Sequence, residues 1–122
     1  LILEPFNPVD HPGHFLNGSA DALRICREID SPFIKINWDL YHMQLTEGNI
    51  VDNLYAGIDQ VGYIQVADIP GRHQPGSGEL NYNFIFNAID AIGYKGPIGL
   101  ECWPENNDEN RAIEDIIKHR LG

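Results

Sequence analysis

Four polar side chains recur along the sequence, each at or next to the end of a short apolar segment: Glu4, Asp39, Gln65 and Glu101. They are spaced at about 30 residues, the length of one strand with its following helix. Neighbouring parallel strands would bring all four to one edge of a sheet. Three carboxylates there raise one another's pKa unless a cation neutralises them. The spacing therefore predicts a divalent cation site, and its oxygen donors favour Mg²⁺ or Mn²⁺ over zinc.

A single carboxylate at a strand end more often caps a helix or stays solvated, but four polar groups in register favour a functional site. Arg72 is a further candidate, since it lies in a loop rich in glycine and proline where the backbone can turn tightly. Its guanidinium suits a substrate carboxylate, because it bonds both oxygens at once. An arginine that faces solvent fits the same pattern.

The elements that must position these side chains follow from alternating apolar and amphipathic segments, which predict four βα units. Strands are predicted over residues 1–4, 33–38, 62–67 and 97–101. The predicted helices run from an N-cap at Ser19 to Ile29, from an N-cap at Asn49 to Val61, from the end of a loop at Asn81 to a stop at Gly93, and from the cap region of Asn107 and Asp108 to Arg120.

Four βα units are about half of a (β/α)8 barrel, which takes roughly 250 residues. A flavodoxin-like sheet is the competing α/β architecture, but it would gather functional groups mainly in one crevice. Here every strand is followed by a polar group and a loop, which favours the barrel. The first residue is Leu1 and not Met, so we expect the numbering to begin inside a larger fold.

The composition excludes several classes of binding partner. With 18 Asp and Glu against 8 Lys and Arg, the net charge is -10, which opposes nucleic-acid binding. No apolar run approaches the roughly 20 residues of a bilayer span, so we expect no membrane partner and a cytoplasmic location. Cys26 and Cys102 have no CxxC spacing, and neither a disulfide framework nor a zinc ribbon is expected.

Two segments, residues 39–44 (DLYHMQ) and 65–82 (QVADIPGRHQPGSGELNY), resemble the hydroxypyruvate isomerase family of the xylose-isomerase-like TIM barrels. Leu3-Glu4-Pro5 and Gly99-Leu100-Glu101 fit the same family. The resemblance implies one partial domain over residues 1–122, the C-terminal half of a barrel with its fifth to eighth strands. It also implies an isomerase that interconverts hydroxypyruvate and tartronate semialdehyde by aldose-ketose proton transfer through a metal-stabilised enediolate.

The metal ligands that this resemblance implies are Glu4, Asp39, Gln65 and Glu101. Glu4 and Glu101 would also be the catalytic acid and base, which move a proton between adjacent carbons while the cation polarises the carbonyl. His42 matches a histidine that contacts a substrate oxygen in related epimerases, and Arg72 would bind the substrate carboxylate. Related epimerases carry a histidine where Gln65 stands, which favours the hydroxypyruvate branch.

Three other functions are compatible with parts of the pattern. One is a sugar or sugar-phosphate isomerase or epimerase of the same superfamily. Another is a catalytically inactive, barrel-derived binding protein, which retention of Glu4, Asp39 and Glu101 disfavours. The third is a metal-dependent nuclease, which the net charge opposes.

A half barrel leaves the outer edges of its first and fourth strands unpaired. We therefore expect a missing N-terminal half, or a second copy of the chain in a homo-oligomer, to cover those edges. The chain alone need not be active. The expected small-molecule partner is a hydroxy-oxo acid or a sugar.

Overall fold

The computed structural model describes residues 1–121, so Gly122, the end of the predicted domain, lies outside the described residues. Four strands form one parallel sheet: β1 (Ile2–Leu3), β2 (Lys35–Asp39), β3 (Val61–Val66) and β4 (Ile98–Leu100). Their spatial order, β1-β2-β3-β4, follows the chain without reversal. Barrels have this order, whereas a flavodoxin-like sheet reverses at a switch point. The predicted half of a (β/α)8 barrel is confirmed.

Helices follow the strands as the periodicity predicts: α1 (Ser19–Ile29), α2 (Leu40–Thr46), α3 (Ile50–Gly57), α4 (Tyr82–Ile92) and α5 (Glu109–Leu121), with 3-10 turns at Ile58–Gln60 and Glu105–Asn107. Helix α2 was not predicted. It begins directly after β2, where the Asp39 carboxylate accepts the backbone N–H groups of Tyr41 and His42. Its first four residues are all buried, so the segment lacks the polar face that identifies a surface helix.

Two predicted helix boundaries are wrong. Ser19 is the first residue of α1 and not its cap, and its backbone N–H donates to Glu47 Oε2 at 3.1 Å. Asn49 is the N-cap residue of α3, as predicted, although its side chain makes no capping bond. Val61 begins β3. Helix α3 ends at Gly57, where a side-chain carbon would come within 2.7 Å of the Trp38 ring, so the close packing on β2 requires glycine at this position.

The core lies between the sheet and the helices, where the removal of apolar side chains from water stabilises the fold. Its large, fully buried members include Trp38 on β2, Ile64 on β3, Leu54 on α3, and Tyr82 and Phe86 on α4. Leu1 and Trp103, by contrast, are 80% and 72% exposed. They lie beside β1 and β4, whose outer edges pair with no other strand in residues 1–121.

Candidate active site

The carboxyl ends of the four strands carry the four polar residues that the spacing identified. Glu4 follows β1, Asp39 ends β2, Gln65 is the penultimate residue of β3, and Glu101 follows β4. The register pairs Asp39 with Gln65, and Gln65 with Gly99. Parallel pairing in register therefore brings the four residues to one edge of the sheet.

One guanidinium joins two of the three carboxylates. Arg72 Nη2 donates to Asp39 Oδ2 at 2.9 Å and to Glu101 Oε2 at 2.6 Å. The Asp39 side chain is 1% exposed and the Glu101 side chain 50%. The Asp39–Arg72 contact is thus the shielded one, and charge-assisted bonds of this length are the strong ones.

The site is short of positive charge. Burial, followed by the charges of Asp39 and Glu101, raises the pKa of Glu4 to about 6. Burial also raises the pKa of Asp39, although Arg72 and the backbone N–H groups of α2 oppose that rise. Three carboxylates face a single guanidinium, and a divalent cation is the counter-charge that this donor set fits.

His42 on α2 lies in the same cluster, although the sequence did not place it there as a ligand. One donor atom from each of Glu4, Asp39 and His42 lies within 4.8 Å of the others, so the three form a candidate metal site. His42 Nε2 is 3.8 Å from both Glu4 Oε1 and Asp39 Oδ2, which is too long for a hydrogen bond. Burial, and then the Arg72 charge, lowers the pKa of His42 to about 4, so its imidazole is neutral near pH 7.

Gln65 is oriented by a residue that the sequence did not identify. Asn37 on β2 donates from Nδ2 to Gln65 Oε1 at 2.5 Å, and the Asn37 residue is 6% exposed. Asn37 precedes Asp39 by two positions on the same strand, so both side chains project from the same face. That alternation was the available signal for Asn37.

The loop of Arg72 is ordered around its side chain. Gly71 and Arg72 both have positive φ, 90° and 57°, which turns the chain back toward the sheet edge. The Arg72 guanidinium carbon lies 4.8 Å from the centre of the Tyr41 ring, and the Arg72 carbonyl accepts the Trp103 N–H at 2.8 Å. Arg72 is therefore held over the carboxylates and not in solvent.

Asp68 ties the rest of this loop together. Its Oδ1 accepts the backbone N–H groups of Ile69 at 2.8 Å and Leu80 at 3.0 Å, and its Oδ2 accepts that of Gly76 at 2.9 Å. The residue is fully buried, so these bonds satisfy a carboxylate that has left water. They fix the segment on both sides of Arg72.

A half barrel with carboxylates at the carboxyl ends of its strands defines the class: these are the positions where (β/α)8-barrel enzymes carry their active sites. The sequence profile of the Xylose isomerase-like TIM barrel family matches residues 1–120, and the chain belongs to this family. None of the helices described in residues 1–121 has the length and apolar character needed to cross a membrane.

Curated relatives confirm the resemblance to hydroxypyruvate isomerases. The chain is 42% identical to a 2-oxo-tetronate isomerase of Cupriavidus necator over 85% of its own length and 40% of that protein. It is 38% identical to the hydroxypyruvate isomerase of Escherichia coli, over 89% of the chain and 42% of that protein. The chain thus spans less than half the length of these relatives.

A solved structure shows the same fold. The 3-keto-D-glucoside 4-epimerase of Escherichia coli superposes with a TM-score of 0.86 at 32% identity, over 99% of this chain and 45% of that one. Isomerases and an epimerase therefore share this half of the barrel, and the choice between their substrates depends on the site.

Proposed function

We propose that the chain supplies the C-terminal half of the active site of an isomerase that interconverts hydroxypyruvate and tartronate semialdehyde. The observation that carries this proposal is the group of Glu4, Asp39 and Glu101 at the strand ends with Arg72 bonded between two of them. The isomerase names of the curated relatives support the same reaction type.

The two glutamates carry the proton transfer. One carboxylate removes a proton from C3 of hydroxypyruvate and leaves an enediolate, and the other glutamic acid delivers a proton to C2. A hydroxyl proton moves from the C3 oxygen to the C2 oxygen, so the reaction is a balanced isomerisation. A glutamate with its pKa raised to about 6, as for Glu4, suits acid-base work near neutral pH.

Two further side chains hold the substrate. Arg72 offers its guanidinium to the substrate carboxylate, and its Nε is buried without a partner among the described residues. His42 Nε2 contacts a substrate oxygen. Both side chains flank the carboxylates, so the three-carbon acid lies across the edge of the sheet between them.

Glu4, Asp39, Gln65 and Glu101 are the residues that we propose hold Mg²⁺ or Mn²⁺. When bound, the cation supplies Lewis acidity to the substrate carbonyl. The unbalanced charge of the three carboxylates supports this assignment, as does the Gln65 oxygen that Asn37 orients.

Titration with Mg²⁺ or Mn²⁺ is expected to raise the melting temperature of the protein. At a hundredfold excess over Kd, a ligand that binds only the folded state adds about 2.7 kcal/mol of stability. Asp39→Asn should abolish the rise, because it removes a buried anionic ligand. Asp52→Asn makes the same change at an exposed position on α3 and should leave the rise intact. If the wild type shows no heat of metal binding and no shift in melting temperature, the alternative of an inactive binding protein is favoured.

The reaction itself is tested by following tartronate semialdehyde formation from hydroxypyruvate in a coupled assay of the full-length protein. We expect turnover of hydroxypyruvate. The four-carbon acid 2-oxo-tetronate is the second candidate substrate, because the relative at 42% identity carries that name. Turnover of a ketohexose without activity on either acid would instead assign the protein to the sugar epimerases.

A covering partner completes the proposal. We propose that an N-terminal half, or failing that a second copy of the chain, pairs with the outer edges of β1 and β4. The curated relatives are more than twice as long as the region that this chain matches, which supports the first alternative. A well-behaved and active monomer of the 122 residues in sedimentation would contradict both.

A further inference from the structure

Both hydrogen bonds to Nδ1 of His42 come from one residue, Asn7. Its backbone N–H donates to Nδ1 at 3.2 Å, and its side-chain Nδ2 lies 2.7 Å from the same atom. Asn7 lies in the loop after β1 and His42 lies on α2, so the contact joins two βα units. Asn7 is 0% exposed and His42 1%, which shields these bonds from water.

The orientation of the Asn7 amide follows from a second contact. The backbone N–H of Asp10, which can only donate, bonds to Asn7 Oδ1 at 2.8 Å. Oδ1 is therefore the amide oxygen, and the other amide atom is the NH₂ group that faces His42. This NH₂ group also donates to Asp10 Oδ2 at 3.0 Å.

Asp10 is in turn held as an acceptor. Tyr41 donates its hydroxyl to Asp10 Oδ2 at 2.7 Å. The hydrogen bond from Tyr41 lowers the pKa of Asp10 most, and the one from Asn7 lowers it further. The Asp10 carboxylate therefore stays ionised near neutral pH. Tyr41 therefore donates to Asp10, and Asn7 donates to both Asp10 and His42. Because both Asn7 groups that face His42 Nδ1 are donors, Nδ1 is the acceptor.

We propose that Asn7 is a positioning residue that holds His42 in the neutral tautomer with its proton on Nε2. An imidazole nitrogen that accepts two N–H bonds carries no proton, so the proton of the neutral ring is on the other nitrogen. Nε2–H then faces the space beside Glu4 and Asp39, at 3.8 Å from each, and neither carboxylate takes the bond.

Two consequences follow for the site. Nε2–H is a donor to a substrate oxygen, which is the part of the inference that rests on the proposed function. A protonated Nε2 also has no lone pair for a cation, so His42 stays out of the coordination sphere despite its place in the cluster with Glu4 and Asp39. The metal ligands are then oxygen atoms, which selects hard cations over zinc.

The tautomer is read directly from long-range ¹H–¹⁵N spectra of the full-length, ¹⁵N-labelled protein without metal or substrate at neutral pH. His42→Gln identifies the resonances of His42 by subtraction. We expect an unprotonated Nδ1 and a protonated Nε2 in the wild type. A protonated Nδ1 in the wild type would overturn the inference, and this measurement requires no Asn7 variant to fold.

Asn7→Asp tests whether the Asn7 side chain sets the tautomer of His42. A carboxylate at this position accepts a hydrogen bond, so we expect Nδ1 to become protonated. Asn87→Asp makes the same change on the exposed face of α4 and should leave the His42 resonances unmoved. An unprotonated Nδ1 in Asn7→Asp, with the fold intact, would show that the backbone N–H alone sets the tautomer and would overturn the role of the side chain.

Activity separates this inference from the proposed function. Asn7→Asp is expected to lower kcat/KM about 10- to 100-fold, the loss that follows when the outer hydrogen-bond partner of a metal-ligating histidine is replaced. An unprotonated Nδ1 in a wild type inactive on hydroxypyruvate and 2-oxo-tetronate would reject the function and leave the tautomer standing. An active wild type with a protonated Nδ1 would support the proposed function and reject the inferred tautomer.

Discussion

Glu101→Gln is expected to slow proton exchange between hydroxypyruvate and solvent by about 10²- to 10⁴-fold, the contribution typical of a positioned acid or base. Glutamine matches the shape of glutamate but neither removes nor returns a proton. The Glu101 side chain is 50% exposed and belongs to no core cluster, so the fold should persist. Arg72 keeps its bond to Asp39. The measurement is deuterium incorporation into substrate, followed by NMR, beside the melting temperature.

Glu105→Gln is the matched control for Glu101→Gln. It removes the same charge from an exposed glutamate in the 3-10 turn that follows β4, and exchange should stay within about twofold of wild type because Glu105 lies outside the site. Exchange retained in Glu101→Gln would reject the mechanism with two glutamates. An equal loss in both variants would attribute the effect to net charge and not to the chemistry of Glu101.

Most of the fold was visible in the sequence, because each βα unit of a parallel barrel repeats a local pattern. An apolar strand, a polar strand end, a loop and an amphipathic helix recur four times, and all four strands were found. Helix α2 was missed because its residues show no such pattern. Leu40 to Met43 are buried on every side, and a helix without a polar face has no period to detect.

The candidate site was visible only where it follows strand ends. Glu4, Asp39, Gln65 and Glu101 share a position relative to their strands, so their spacing identified them. Asn7 bonds His42 across 35 positions of sequence, and no local pattern encodes such a contact. A weaker signal existed, since an asparagine in a loop commonly bonds a backbone group a few residues away, and the backbone N–H of Asp10 does bond Asn7 Oδ1.

Arg72 shows the limit of an argument from residue type. The sequence matched a guanidinium to a substrate carboxylate, while the structure has it bonded to carboxylates of the protein itself. The two roles are compatible, because Nη2 makes both of those bonds, which leaves the other terminal nitrogen of the guanidinium to donate to a substrate oxygen. Separating them needs ligands that differ only in the carboxylate.

Arg72→Lys is expected to weaken binding of glycerate, a three-carbon acid, by about 10- to 100-fold and to leave the binding of glycerol unchanged. Lysine keeps the positive charge but loses the planar fork that bonds two carboxylate oxygens. One hydrogen bond to a charged group contributes about 1.5–3 kcal/mol, and each 1.4 kcal/mol is tenfold in affinity. Inhibition constants of the two ligands against hydroxypyruvate turnover measure the difference.

Arg111→Lys, in the exposed ion pair with Asp115, is the matched control and should change neither constant. Equal weakening for both ligands would mean that Arg72 only maintains the shape of the site, and an unchanged constant for glycerate would reject Arg72 as the carboxylate ligand.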